Sequence, residues 1–169
     1  MRSVIRIVCR LCLMLALACT GAVAQTDAKA LTDRAEAAFR TGDLIVAMGL
    51  LRQAADAGHG PAQSRLADML DAAEQDAEAV VWYRKAAAQN DAHGEYGLGR
   101  MLAHGEGVAR DPVEALRWYR LAADKGHVFA IEALSRAHRS GDLGVERNIA
   151  EADRLEQRAK ALRDAAKKP

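Results

Sequence analysis

Cysteine, proline and aromatic residues are scarce in this sequence of 169 residues, which has 3 Cys, 3 Pro, 2 Trp, 3 Tyr and 2 Phe. All three cysteines lie within the first 19 residues, so the remainder of the chain can form no disulfide and offers no cysteine nucleophile. An excess of positive charge is also absent, since 24 Lys and Arg face 23 Asp and Glu. The sequence therefore argues against a general nucleic-acid binder, because neutralising phosphates needs a basic face.

Alanine, by contrast, is abundant and occupies 37 of the 169 positions. Alanine has the highest helix propensity of all residues, whereas the β-branched residues that favour strands are sparse after position 24. The length allows one domain or a short array of small units. We therefore expect an all-α fold.

The first residues have the pattern of a secretory signal peptide. Three arginines precede an unbroken apolar run over 11–19, which is followed by the small-x-small sequence Ala-Val-Ala at 22–24. The apolar run is too short to cross about 30 Å of hydrocarbon as a permanent helix. We expect 1–24 to be removed by cleavage after Ala24. This leaves a periplasmic or secreted chain from Gln25, with 21 basic residues, 23 acidic residues and no membrane span.

A second interpretation of the same segment stays open. The sequence Leu-Ala-Leu-Ala-Cys at 15–19 resembles a bacterial lipobox, in which Cys19 would become the lipidated first residue. Lipoboxes usually carry leucine where Ala16 stands. The soluble form is therefore the preferred expectation, and a lipoprotein anchored at Cys19 is the alternative.

Three segments of the chain are near-copies of one another: LLRQAADAGHGPA at 50–62, WYRKAAAQNDAHG at 82–94 and WYRLAADKGHVFA at 118–130. An alanine stands three positions before each copy and before a fourth, weaker one, at Ala47, Ala79, Ala115 and Ala152. A second row of small residues lies 12 to 17 positions earlier, at Ala35, Ala67, Gly99 and Ser135. This spacing fits one helix, a turn and a second helix, so each unit is predicted to be a helical hairpin.

The third unit shows how such a hairpin is encoded. Its apolar spacing predicts a first helix, helix A, over 92–103, and Gly105 permits the backbone conformation that ends it. Asp111 is a favourable N-cap and Pro112 is favoured at the first helical position. The second helix, helix B, is therefore expected over 112–125.

Stacking is expected because one hairpin cannot bury its apolar face alone. Small residues let two helices approach closely, and the tryptophans at one repeated position, Trp82 and Trp118, are expected to fill the core between them. The sequence thus predicts an α/α right-handed superhelix, or solenoid, of about four hairpins over 25–164. The tail at 165–169 is expected to be frayed.

The third unit closely resembles the Sel1-like repeat, a relative of the tetratricopeptide repeat. The matching positions are Gly105, Gly107, Val108, Asp111, Ala115, Trp118, Tyr119, Ala122, Ala123, Gly126 and Ala130. The resemblance covers about 28–164 and is strongest over 79–130, because the second unit lacks the G-x-G-V turn and the fourth is degenerate. It implies an exported bacterial protein that acts as a scaffold or regulator by binding another protein.

No residue pattern in the sequence points to catalysis, a metal ion or a cofactor. His59 and His127 fall at the same position of their units, which Asp91 occupies in the second, and a position repeated in every unit indicates a cap or a turn. The metalloprotease spacing of two histidines around a glutamate and the G-x-S-x-G elbow are both absent. The sequence therefore predicts a protein that is not an enzyme.

A partner-binding surface is the remaining candidate site. Helix A of each unit lines the concave groove in tetratricopeptide-like arrays. Mapping by the second row of small residues assigns charged and aromatic side chains to this groove: Glu36, Arg40, Asp68, Tyr96, Arg100, His104, Arg136 and Arg139. Arginine and tyrosine are enriched in binding hot spots, and an order from acidic to basic suits an extended peptide. Ordinary solvated charges are the other interpretation of these residues.

An enzyme that acts on β-lactams or peptidoglycan is the alternative function, because some secreted Sel1-like proteins are described in that way. Those proteins resemble a cysteine-paired subgroup, whereas this chain has no cysteine after position 19. Ser64 and Ser135 also lack a lysine three residues further on. The sequence favours a non-enzymatic scaffold with a protein or peptide partner, no nucleic acid and no cofactor.

Overall fold

The computed structural model describes residues 27–167, and every regular element in that range is an α-helix. The eight helices of this range are α1 at 27–40, α2 at Leu44–Asp56, α3 at Gly60–Ala72, α4 at Asp76–Ala88, α5 at Ala92–His104, α6 at Pro112–Asp124, α7 at Val128–Ser140 and α8 at Ile149–Ala166. The predicted signal peptide at 1–24, the cleavage site and the lipobox alternative all lie outside the described residues.

From α2 to α8, consecutive helices pack against one another along the chain, and α3 also contacts α5. The pairs α1–α2, α3–α4, α5–α6 and α7–α8 form units one to four, with helix A first and helix B second in each unit. This arrangement confirms the predicted all-α solenoid of four hairpins. The helices of the third unit agree with their predicted bounds to within one residue.

Helix ends are set by the residue types that the sequence places there. Four N-caps accept a hydrogen bond from the amide three residues on, with lengths between 2.8 and 3.2 Å: Asp43, Asp91, Asp111 and Asn148. Gly105 and Gly141 follow α5 and α7 with φ of 79° and 77°. Glycine adopts this left-handed conformation without strain, which allows both helices to end there.

The two rows of small residues meet inside the units. The alanines of the first row, Ala47, Ala79, Ala115 and Ala152, are completely buried. A Cβ atom on Gly99 would lie 3.3 Å from the carbonyl oxygen of Ala115, and Ser135 donates its hydroxyl to the carbonyl of Ala152 at 2.8 Å. The helices of one unit therefore cross in close contact where the sequence predicted it.

Helix α8 closes the array at the C-terminal end. It extends to Ala166, so the first two residues of the predicted frayed tail are still helical. Its buried residues form one stripe, Ala152, Leu155 and Ala159, and its remaining surface carries charged side chains. A helix with a single apolar stripe suits the last position of a repeat array, because nothing stacks on its outer face.

The two tryptophans differ in burial, although they occupy equivalent positions. Trp82 is 7% exposed, and the Lys85 ammonium lies 3.6 Å from the centroid of its ring. Trp118 is only partly buried, and it lines an open surface cavity with the exposed Val113 and Leu121. Trp82 is therefore a core residue as expected, whereas Trp118 packs against the core but remains partly exposed.

A polar brace links helix A of one unit to the end of helix B in the same unit. In unit two, Gln63 donates to the Ala55 carbonyl at 3.0 Å and accepts from Gln89 at 2.6 Å. In unit three the equivalent residues are Glu95 and Lys125, which form an ion pair. Glu95 is 1% exposed, and its second carboxylate oxygen, Oε2, has no hydrogen-bond partner within residues 27–167.

Replacing this buried carboxylate with an amide is expected to be tolerated. By the geometry of unit two, the amide of Glu95→Gln can donate to the Ala87 carbonyl while its oxygen still accepts from Lys125. We expect a free energy of unfolding within about 1 kcal/mol of the parent, against a loss of about 1–3 kcal/mol for Glu95→Ala. Urea unfolding followed by circular dichroism measures both. Equal losses in the two variants would contradict the proposed equivalence of the braces.

Candidate functional site

Helices α1, α3, α5 and α7 form one face of the array, here called the helix A face, and the eight predicted binding residues all lie on these helices. The structure groups them into an N-terminal cavity, a central polar network and a C-terminal cavity. Each group draws side chains from neighbouring units, so the face depends on stacking rather than on any one hairpin.

The N-terminal cavity lies between α1 and α3 and has a volume of about 240 Å³. Three predicted residues, Glu36, Arg40 and Asp68, line it together, with Phe39 and Arg65 beside them. Phe39 is 56% exposed, and Arg65 Nε lies 3.8 Å from Glu36 Oε1. Two carboxylates therefore face two guanidinium groups around an apolar wall, and this end of the face is mixed in charge rather than acidic.

Asp68 belongs to a hydrogen-bonded chain that crosses three units. Its carboxylate accepts from the Tyr83 hydroxyl at 2.8 Å and contacts His93 Nε2 at 2.7 Å. His93 Nδ1 lies 3.4 Å from His127 Nε2, and His127 Nδ1 accepts from the Ala130 amide at 3.3 Å. Because that amide can only donate, a neutral His127 carries its proton on Nε2 and donates to His93, which in turn donates to Asp68.

Aromatic rings cover the far end of this chain. Tyr96 stacks on His127 with 4.8 Å between ring centroids, and the exposed Phe129 lies 6.0 Å from both rings. Burial lowers the pKa of His127 below its usual value, and the neighbouring His93 lowers it further. Both effects disfavour the imidazolium, which supports the neutral form that the hydrogen-bond direction requires.

Arg100 is held by ion pairs inside the array. It lies on α5 and contacts Asp71 of the preceding unit and Glu106 of its own turn, the second at 2.8 Å. Its side chain is about three-quarters buried. Arg100 therefore joins units two and three, and its charge is already compensated before any partner binds.

The C-terminal cavity lies between α5 and α7 and has a volume of about 370 Å³. The predicted residues His104 and Arg136 line it together with Arg110 and Tyr119. Arg136 forms no ion pair within residues 27–167, and Asp142 is the carboxylate in this lining, 3.9 Å from Arg110. The cavity is therefore predominantly basic.

Arg139, the last predicted residue, lies one turn beyond Arg136 on α7. Its guanidinium is paired with Asp153 at 2.9 Å and with Glu156 at 2.8 Å on α8. These pairs fasten the last two helices together. Arg139 lines a neighbouring cavity that shares Arg136 with the basic one, but its own charge is compensated.

The histidines of the repeated cap position have different roles. His127 and Asp91 cap their helices through a side-chain acceptor, as predicted. His59 makes no cap, and its Nδ1 instead meets the Thr32 hydroxyl at 2.9 Å. Tyr119 and Arg110 also contribute to the face, although neither was predicted from the sequence. The mapping by small residues considered helix A positions only, and both residues lie outside helix A.

The serines of the enzymatic alternative serve the fold. Ser64 donates its hydroxyl to the Pro61 carbonyl at 3.1 Å, and Ser135 donates to Ala152. No group of three or more His, Asp or Glu side chains within residues 27–167 is placed to hold a metal ion. Over the same range, no helix combines the length and hydropathy that a membrane crossing requires.

The fold and this face define an α-helical repeat protein of the kind that binds other proteins. A family model described as Sel1 repeat matches residues 35–59, 60–91, 92–127 and 128–155, one segment for each hairpin. The chain therefore belongs to the Sel1 repeat family, whose members are generally protein-interaction scaffolds. The predicted resemblance is confirmed.

This chain is similar to several known proteins, among them the following three. Chitin synthase regulatory factor 3 of Schizosaccharomyces pombe is 45% identical over 49 residues, which are 29% of this chain and 5% of that protein. The crystal structure of a protective antigen with an SLR fold from uropathogenic Escherichia coli is 34% identical, with a TM-score of 0.72 over 80% of this chain and 30% of the antigen. A Sel1 repeat protein from Oxalobacter formigenes is 24% identical, with a TM-score of 0.72 over 80% of this chain and 58% of its own, and supports the fold alone.

Proposed function

We propose that this protein is a non-catalytic scaffold or regulator of the bacterial periplasm or envelope that binds a protein partner through the helix A face. One observation carries the proposal: two cavities of different chemistry, one with an apolar wall and one basic, lie on the same face and belong to different units. An extended partner segment can contact both at once, and contacts spread over several units are typical of solenoid binding surfaces.

The rest of the face supports this proposal. Asp68 is hydrogen-bonded to His93, His93 contacts His127, and Arg100 is ion-paired with Asp71. These contacts hold the side chains in place, so they form a preorganised surface rather than reactive groups. A preorganised surface loses little conformational entropy on binding. Phe39 and Phe129 are exposed along the same face and offer apolar contact area.

Site-specific photo-crosslinking in the intact cell tests where the partner binds. The photoreactive residue p-benzoylphenylalanine is placed at Phe39 in the N-terminal cavity, at His104 in the C-terminal cavity, and at the exposed Arg117 on helix B α6 as the control. We expect one protein to form adducts with the chain at positions 39 and 104 and not at 117. Adducts mainly at position 117, or at none of the three, would contradict binding through the helix A face.

The proposed location has a separate test. The mass of the N-terminus of the chain recovered from cells distinguishes Gln25, expected after signal-peptide cleavage, from an acylated Cys19. An N-terminus at Gln25 in the periplasmic fraction supports a soluble exported scaffold, and acylated Cys19 supports an envelope-anchored one. A chain that retains Met1 in the cytoplasm would contradict export.

A further inference from the structure

Units two and three place a tyrosine at the same buried position but surround it differently. Tyr83 in unit two is 2% exposed, and its hydroxyl donates to the Asp68 carboxylate at 2.8 Å. Tyr119 in unit three is 4% exposed, yet its hydroxyl makes no hydrogen bond to any residue in the range 27–167. Arg100 occupies on α5 the position that Asp68 occupies on α3. The carboxylate that accepts from Tyr83 is therefore replaced by a guanidinium in the unit of Tyr119.

The unpartnered hydroxyl faces the basic cavity. Tyr119 lines that cavity together with His104, Arg110 and Arg136. Burial, with a smaller contribution from the neighbouring Tyr96, raises the pKa of Tyr119 to about 12, so the phenol keeps its proton and can donate at neutral pH. The hydroxyl opens into the cavity and has no acceptor within residues 27–167, so it is free to donate to a group that enters there.

The charges around this hydroxyl favour the binding of an anion. Arg136 has no ion-pair partner in the described part of the chain, and Arg110 is anchored by a hydrogen bond from Nε to the Ala103 carbonyl at 3.0 Å. Asp142 offsets part of the positive charge, but at 3.9 Å it contacts Arg110 only loosely. Guanidinium groups and a phenolic donor are the kinds of group that bind a carboxylate.

We infer that a glutamate or aspartate side chain of the partner occupies this cavity and accepts from Tyr119 as Asp68 accepts from Tyr83. This inference rests on the proposed function and names the chemistry that the helix A face recognises. A side chain within a peptide suits the site because the face continues on both sides. Phe129 is exposed near Tyr96 on one side, and the cavity that shares Arg136 lies on the other.

Selection from a displayed peptide library tests the inference on the full chain. Random 12-residue peptides fused at their C-termini to the display scaffold carry no free terminal carboxylate. We expect selected peptides to share one acidic position. A synthetic peptide acetylated at its N-terminus and amidated at its C-terminus should lose about tenfold in affinity when that glutamate becomes glutamine.

Two variants connect this acidic position to the cavity. Arg136→Gln and Tyr119→Phe should each lower the affinity for the peptide with glutamate by about tenfold or slightly less. The affinity for the peptide with glutamine should be nearly unchanged in both variants. Tyr119→Phe keeps the ring that packs against Gly99, and Arg136 is exposed, so both chains should fold. Arg117→Gln, which removes an exposed arginine of helix B α6 outside the helix A face, is the matched control and should bind as the parent does.

The possible outcomes separate this inference from the proposed function. Peptides that bind without an acidic position, or whose affinity ignores Arg136→Gln and Tyr119→Phe, would overturn the inference while leaving a peptide-binding face. Binding that requires a free terminal carboxylate, or that inorganic phosphate reproduces alone, would also overturn it. A chain that selects no peptide and forms no adduct at positions 39 and 104 would refute both.

Discussion

Gly97→Ala is expected to lower the free energy of unfolding by about 2–3 kcal/mol, although alanine is the better helix former. A Cβ atom at this position would lie 2.2 Å from Cε1 of the Tyr83 ring, far inside van der Waals contact. The ring cannot move aside easily, because it is buried and its hydroxyl is bonded to Asp68. Units two and three would therefore have to separate, or Tyr83 would have to give up its hydrogen bond.

Gly49→Ala is the matched control in another helix of the same protein. Gly49 lies within α2 on the exposed side, and a Cβ atom there would meet nothing within 4 Å. We expect this variant to gain about 0.5–1 kcal/mol, since the helix propensity of alanine is realised without a clash. Urea unfolding and thermal melts of both variants give the comparison. Equal shifts of the same sign would mean that the close contact at Gly97 does not limit the packing of the units.

Trp82→Ala is expected to cost about 3–5 kcal/mol, which would leave a domain of ordinary stability close to unfolding. The indole of Trp82 belongs to the buried core, and its Nε1 donates to Glu78 at 3.3 Å. Removing it loses both the buried apolar area and the contact with the Lys85 ammonium.

Trp118→Ala provides the comparison at the equivalent position of the next unit. Because Trp118 is partly open to solvent beside Val113 and Leu121, we expect its loss to be roughly half as large. Differential scanning calorimetry of the two variants and the parent measures the difference. A Trp118→Ala variant that is as unstable as Trp82→Ala would show that both indoles are equally buried in solution.

Much of this fold follows from local chemistry that is visible along the chain. The near-copies around Trp82 and Trp118 predicted stacked hairpins, and Asp111, Pro112 and Gly105 predicted where the helices of unit three begin and end. These predictions succeeded because a cap or a helix stop depends on residues within one turn of each other. The two rows of small residues predicted the crossings for the same reason, since each crossing lies within one hairpin.

The surface could be predicted only in outline. The sequence placed Arg100, Arg136 and Arg139 on the same helical face, and nothing in it distinguished them. In the described part of the structure, Arg100 and Arg139 form ion pairs with carboxylates on neighbouring helices, and Arg136 forms none. The partners of an arginine depend on which distant residues the stacking brings within a few ångströms, and that distance is not encoded in local spacing.

The sequence by itself determined that the chain is helical, that it repeats and where its helices stop, because helix propensity, capping and apolar spacing act over a few residues. Only the tertiary structure decided that Tyr83 finds a carboxylate and Tyr119 does not, that Glu95 is buried against Lys125, and that Trp118 stays partly exposed. These differences arise between units of nearly the same sequence, because each side chain is surrounded by its neighbours in space rather than by its neighbours along the chain.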